Sequence, residues 1–177
     1  NKIVWITGAS SGIGEALCYK LNQAGVKLII SSRNSEGLYQ VKNKCTNNQL
    51  DVHVLPLDLE NSPELEEKAN TALNIFGRID MIIHSGGVSQ RSLAMDTDLD
   101  VAQKIMNINF WGAVILTKAV IPSMLSNQSG HIVIISSLVG KFGTKYRSAY
   151  SASKHALHGY FDSLRSEIDS GIKISII

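Results

Sequence analysis

Tyr150 and Lys154 stand at i and i+4 in Tyr150-Ser151-Ala152-Ser153-Lys154, a spacing that sets both side chains on one face of a helix. A phenol with a free pKa of about 10 is a poor acid–base group at neutral pH. A lysine cation or another positive charge beside it favours the phenolate and lowers that value. Ser137 stands 13 residues before Tyr150, just past the end of a β-branched run over 130–136. A hydroxyl there can hydrogen-bond a substrate oxygen without being a nucleophile. Tyr-x3-Lys alone is common in helices. Combined with Ser137 and a glycine-rich turn near the start of the chain, it points to general acid–base chemistry beside a bound cofactor.

That turn reads Thr7-Gly8-Ala9-Ser10-Ser11-Gly12-Ile13-Gly14 and separates an apolar run from a helical pattern. Glycines let the backbone turn sharply and approach a pyrophosphate, which rests on the free N–H groups of the helix start. No Lys-Ser/Thr follows Gly14, which removes a P-loop. The second apolar run ends Ser31-Ser32-Arg33, where an NAD site would carry a carboxylate for the ribose hydroxyl. Ser32 has no charge and Arg33 can pair with a 2′-phosphate, so NADP(H) is favoured over NAD(H). Glu36 is the competing carboxylate, placed beyond the strand end. Asp58-Leu59 follows the third run, where Asp58 suits either an adenine amino group or a helix N-cap.

The elements that must hold these residues alternate. Strand-like runs at 3–7, 26–31, 52–57, 79–83, 130–136 and 173–177 are mostly apolar on successive positions, as in strands covered on both faces. Helical patterns at 13–24, 36–46, 63–76, 99–125 and 148–170 lie between them. Gly25 and Gly77 sit where left-handed C-caps belong, and Pro63 suits a helix first turn. Such alternation predicts an α/β fold of Rossmann type, a doubly wound and mostly parallel sheet with helices on both faces. One domain over 1–177 is expected, cut after the sixth strand with a C-terminal part missing. The fourth pattern, 99–125, is apolar around much of its circumference and is either deeply buried or packed on another subunit.

Composition narrows the classes further. Hydrophobic residues make up 44% and charged residues 18%, enough apolar surface for a core and too much for a disordered tail. A net charge of +2 without charge blocks gives no support to nucleic-acid binding. Uninterrupted apolar runs are a few residues long, against the ~20 a membrane helix needs. Cys18 and Cys45 make no disulfide framework, and neither they nor His155 and His158 show metal-ligand spacing, so no metal is expected.

With these motifs in this order, the chain resembles the short-chain dehydrogenase/reductase family from residue 3 to residue 177. The segment 7–14 resembles the family's cofactor turn, which implies cofactor contacts from Gly8, Ser10, Ser11, Gly12, Ile13 and Gly14. Arg33, Asp58, Leu59 and Gly86 would complete the nucleotide site. Asn109-Phe110-Trp111-Gly112 resembles the motif of the fourth helix. The resemblance implies Tyr150 as general acid in carbonyl reduction, Lys154 on the nicotinamide ribose and tuning Tyr150, Ser137 binding and polarising the substrate carbonyl, and Asn109 holding a water that relays protons to Lys154.

Gly87-Val88-Ser89-Gln90-Arg91-Ser92 further resembles the dehydrogenase/reductase member 7 branch, near the 11β-hydroxysteroid dehydrogenases. That implies NADP(H)-linked chemistry on a lipophilic steroid- or retinoid-like carbonyl compound. It also implies a homodimer or homotetramer through the fourth and fifth helices. Association with the endoplasmic reticulum membrane would come from outside 1–177; a cytoplasmic location is the alternative.

One segment departs from the family. Asn-Asn-Ala-Gly is expected after the fourth strand, and the chain has His84-Ser85-Gly86-Gly87. These side chains are expected to reach the cofactor crevice and to weaken stability and cofactor affinity while leaving the chemistry intact. The same departure motivates a second reading, a catalytically weak NADP(H)-binding sensor or scaffold.

Overall fold

The β-branched runs form strands β1 (Ile3–Thr7), β2 (Lys27–Ser31), β3 (Val52–Val54), β4 (Met81–His84), β5 (Gly130–Ile134) and β6 (Ile172–Ile176) in a computed structural model describing residues 2–168 and 171–177. All pairings are parallel and the order is β3-β2-β1-β4-β5-β6. This is a doubly wound sheet whose topology reverses between β1 and β4. The crevice outside their carboxyl ends is where such sheets take ligands. Thr7 pairs with Ser31 on one side and His84 on the other, so the segments after β1, β2 and β4 emerge together.

Helices α1 (Gly12–Gln23) and α2 (Ser35–Lys44) cover one face. Cys18, Leu38 and Val41 pack there on Val4, Ile6, Leu28, Ile30 and Ile83. Helices α3 (Ser62–Phe76), α5 (Gly112–Ser126) and α6 (Ser148–Glu167) cover the other. Leu65, Leu116, Val120 and Phe161 pack there on Trp5, Ile29, Ile82 and Ile132. Successive strand residues alternate between the two layers, so runs apolar at every position are buried on both sides. Cys18 and Cys45 are free and buried, and burial raises the Cys18 thiol to about 12.

Several boundaries differ from expectation. Strand β3 ends at Val54, although the Leu55 and Leu57 amides still donate to Ile30 and Ser32 carbonyls across Pro56. Gly77 caps α3 in the left-handed conformation and Gly25 has positive φ just past α1, both as read. Helix α6 ends at Glu167, and the expected tail to Ser170 runs into residues outside those described. The pattern 99–125 is not one regular helix. Helix α4 (Leu99–Met106) passes into a π-helical turn, Asn107–Trp111, where the Gly112 amide reaches back to the Asn107 carbonyl, and then into α5. Taken together, Leu99–Ser126 is long and apolar enough to cross a membrane despite its short uninterrupted runs. Half of its most apolar window is buried in the fold, as in a core helix.

Candidate active site

The glycine turn fits a dinucleotide for a steric reason. A Cβ on Gly8, whose φ is +67°, would lie 2.6 Å from the Gly86 Cα, and one on Gly14 would strike the Gly8 carbonyl oxygen. The backbone after β1 is therefore pressed against the loop after β4, leaving an open crevice of about 350 Å³ above the start of α1. Gly8, Ser10, Ser11 and Ile13 line it, and so do Arg33, Asp58, Leu59 and Gly86 from the neighbouring strand ends. Gly12 and Gly14 begin the helix below.

Arg33 is about half exposed and loosely paired, with Nε 3.9 Å from Asp58 and Nη1 4.0 Å from Glu60. Lys104 holds Glu60 more closely, at 3.0 Å. Glu36 lies in the first turn of α2, beyond β2. Asp58 does not cap α3, which has Asn61 at the N-cap position; its Oδ1 accepts the Glu60 amide at 3.0 Å. The N-cap alternative therefore falls.

His84 is a correction. Its side chain does not reach the crevice. It is buried under the sheet, with Nε2 2.8 Å from Thr117 Oγ1 and its ring 6.3 Å from that of Phe161. The reason is strand parity: β4 runs one residue further than expected, which puts His84 on the same face as Ile82. Burial pulls the imidazole down to about 3, so it is neutral. Crevice contact begins at Ser85 and continues through Gly86, Gly87 and Val88.

Lys154 is 6% exposed, and its Nζ donates to the Ile135 carbonyl at 2.9 Å. The same atom lies 5.7 Å from the Tyr150 ring centroid, so the predicted pair meets on one face of α6. Burial brings the amine down to about 8. A Cβ on Gly87 would come within 3.9 Å of this amine and 3.2 Å of Asn109 Oδ1, so the absent side chain opens the crevice toward the lysine. Asn109 sits inside the π turn and is buried. Its Oδ1 accepts the Val88 amide at 2.8 Å, while Nδ2 donates to Val88 O at 2.9 Å and to Ser153 Oγ at 3.0 Å. Both amide hydrogens are thus committed to bracing the β4 loop against α6. Ser137 opens a 3-10 turn, Leu138–Gly140, and its Oγ accepts the Val139 amide at 3.4 Å. No hydrogen bond joins it to Tyr150 among the described residues; Ser136 makes the strand-end link to α6, through His158 Nε2 at 3.0 Å.

Sequence reasoning missed Ser89, Gln90, Arg147 and Ser153. Gln90 Oε1 accepts the Tyr150 amide at 3.1 Å, and Arg147 Nη1 donates to Ser89 Oγ at 2.6 Å. These contacts join a loop without periodicity to the start of α6 about 60 residues further on, so no local signal announces them. Among the described residues no His, Cys, Asp and Glu group could hold a metal ion.

A 3-2-1-4-5-6 sheet with a glycine cradle at its switch point defines a dinucleotide-binding Rossmann-type protein. The family model "short chain dehydrogenase" matches residues 2–177, and the chain belongs to the short-chain dehydrogenase/reductase family of oxidoreductases, whose fold binds a nicotinamide cofactor. It is 45% identical to human dehydrogenase/reductase SDR family member 7 over all of its own length and 54% of that protein. With mouse member 7B the identity is 40%, over 100% and 56%. These similarities place it in the member 7 branch, and the chain spans about half the length of the curated relatives it matches. Among solved structures, a short-chain dehydrogenase from Streptomyces avermitilis superposes with a TM-score of 0.94 at 30% identity, covering 99% of this chain and 64% of that one. An F189W actinorhodin polyketide ketoreductase with NADPH gives 0.93 at 26%, covering 99% and 69%.

Proposed function

We propose that the protein is an NADP(H)-dependent oxidoreductase that reduces a carbonyl, or oxidises the alcohol, of a lipophilic substrate such as a steroid or retinoid. The single observation that carries this reading is the buried Lys154 amine behind the Tyr150 ring, 5.7 Å from its centroid and open to the dinucleotide crevice past Gly87. The cradle at Gly8, Gly12 and Gly14 suits a pyrophosphate, and Arg33 would take the 2′-phosphate. Bound nicotinamide supplies the hydride. Tyr150 gives its proton to the carbonyl oxygen, and the Lys154 cation offsets the negative charge that develops on the phenol. Ser137 hydrogen-bonds the same substrate oxygen. Asn109 keeps the loop over Lys154 in place, and a water relay to that amine would run beside it.

The test is NADPH oxidation by the full-length protein with a panel of ketones and retinals. Tyr150→Phe should abolish turnover and leave NADPH binding nearly intact, because it removes only the transferable proton. A Phe variant that keeps most of the activity overturns the assignment. The weak sensor or scaffold reading loses His84 from its support, because that ring is partnered away from the crevice, and rests on Ser85 and Gly86, which line it.

Self-association would use the surface formed by α4, α5 and α6. A groove there is lined by Leu99, Met106, Trp111, Ala149 and Ala152, with Leu99 73% and Trp111 48% exposed. A homodimer or homotetramer would cover it. Residence at the endoplasmic reticulum membrane rests on the branch alone, with a cytoplasmic location as the alternative.

A further inference from the structure

Helix α6 carries both Tyr150 and Lys154, yet it starts on a residue that cannot cap it. Arg147 holds the N-cap position and makes no capping bond, and a guanidinium has no acceptor. The first-turn N–H groups of a helix need outside partners, and the Tyr150 amide is one of them. Gln90 supplies the acceptor from the loop after β4, with Oε1 3.1 Å from the Tyr150 nitrogen; its Nε2 reaches Ser148 Oγ at 3.4 Å.

The tyrosine carbonyl is held from the same loop by a second route. Ser153 Oγ donates to Tyr150 O at 2.8 Å and accepts from Asn109 Nδ2, and Asn109 grips both backbone groups of Val88. Val88, Asn109, Ser153, Tyr150 and Gln90 therefore close a circuit of hydrogen bonds through the short chain segment from 88 to 90. Two of the residues just before Gln90, Gly87 and Val88, line the dinucleotide crevice.

We propose that Gln90 is a positioning residue for Tyr150, capping the catalytic helix at the tyrosine's own amide and so tying the phenol to the loop that lines the cofactor crevice. The proposal rests on the reading of Tyr150 as the general acid. A Gln side chain suits the task because its oxygen accepts the amide while its nitrogen donates to Ser148. Glu would keep the accepting atom and add a charge that favours a helix N-terminus. Leu would keep the bulk and lose the acceptor.

The experiment compares Gln90→Leu and Gln90→Glu with the parent full chain. It reads hydrogen exchange at the Tyr150 amide and steady-state kinetics with NADPH and all-trans-retinal. A lost cap predicts exchange at Tyr150 faster by about fivefold or more in Gln90→Leu, with α5 core amides unchanged. It also predicts a kcat lower by about fivefold, a KM for NADPH within about twofold, and both effects largely reversed in Gln90→Glu. Unchanged Tyr150 exchange, loosening spread evenly over the chain, unchanged kcat, or no rescue by Glu would each overturn the proposal. The exchange readout needs no turnover. A fully active Tyr150→Phe would sink the acid assignment, whereas failure of the Gln90 variants would sink only the positioning role.

Discussion

His84 and Thr117 meet under the sheet, Nε2 to Oγ1 at 2.8 Å, and this contact gives an imidazole a place where the family resemblance leads one to expect an asparagine amide. The ring is a core residue between β4 and α5, edged by Phe161. Restoring the family's amide at this one position should therefore harm the fold.

His84→Asn is expected to lower the melting temperature, because the shorter amide leaves space under the sheet and strands the Thr117 hydroxyl, at about 1–3 kcal/mol. The pH dependence has a definite sign. The unfolded chain binds a proton on this imidazole near 6.5 and the folded one only near 3. Stability from this group is full above about 6.5 and declines as pH falls through that window toward 3. The parent should lose melting temperature from pH 7 to pH 5 more steeply than the Asn variant. Parallel curves from thermal denaturation would contradict a buried neutral imidazole.

Gly8→Ala and Gly86→Ala should differ sharply although the two glycines touch. A Cβ on Gly8 meets Gly86 backbone at 2.6 Å from a positive φ, and neither backbone can retreat. A Cβ on Gly86 meets the movable end of Leu59 at 2.5 Å. Gly8→Ala should weaken NADPH binding by more than tenfold and lower stability by about 2 kcal/mol or more. Gly86→Ala should change affinity by less than about threefold. Titration calorimetry on the two variants decides; equal effects would mean that the crevice wall is softer than the contacts require.

What was legible follows from range along the chain. The 7–14 turn and the Tyr150–Lys154 spacing are encoded within a few residues, so type and position sufficed. Alternation and crossover handedness give the doubly wound parallel sheet, while its order β3-β2-β1-β4-β5-β6 comes from the structure. His84 lies away from the crevice because β4 extends through it and strand alternation sends it to the face of Ile82, and boundaries are the least determined part of any pattern. The π turn at Asn107–Trp111 lies inside a pattern that reads as one continuous helix, and its residue types do not mark the extra residue in the turn. Gln90 depends on a partner 60 residues away. Of the two roles open to Asp58, the helix N-cap is removed because Asn61 takes that position.

Lys154→Met should stop turnover and change the pH profile of stability in the opposite region. Burial takes the amine from 10.5 to about 8. Below about 8 the lysine is charged in both states, and the folded one bears a desolvation penalty on the order of 3 kcal/mol. Between about 8 and 10.5 the folded protein sheds the proton while the unfolded chain keeps it, so stability from this group rises with pH. Methionine removes the penalty but leaves the Ile135 carbonyl without its donor, which offsets part of the gain. The melting temperature of the variant relative to the parent, without cofactor, should therefore be higher at pH 7 than at pH 9.5. A difference independent of pH would place the amine in water.

Cofactor preference should reside at the end of β2, where Arg33 is poised but not locked. Its carboxylate neighbours stand at 3.9 and 4.0 Å, beyond close hydrogen-bond range, and the guanidinium is half exposed. Such pairs contribute little, so a doubly charged 2′-phosphate can draw Arg33 from Asp58 and Glu60 at small cost. Lys104 keeps Glu60 occupied at 3.0 Å, which lowers that cost further. In Ser32→Asp with Arg33→Leu the phosphate partner is gone, and the new carboxylate repels the phosphate while accepting a ribose hydroxyl. The ratio of kcat/KM for NADPH over NADH should fall by about a hundredfold or more, with contributions from lost attraction and added repulsion. Arg33→Leu alone should give the smaller part of that change and leave NADH kinetics almost untouched. An unchanged ratio in the double variant would show that another group reads the phosphate, and Lys104, freed by Glu60→Gln, would then be the next cation to remove.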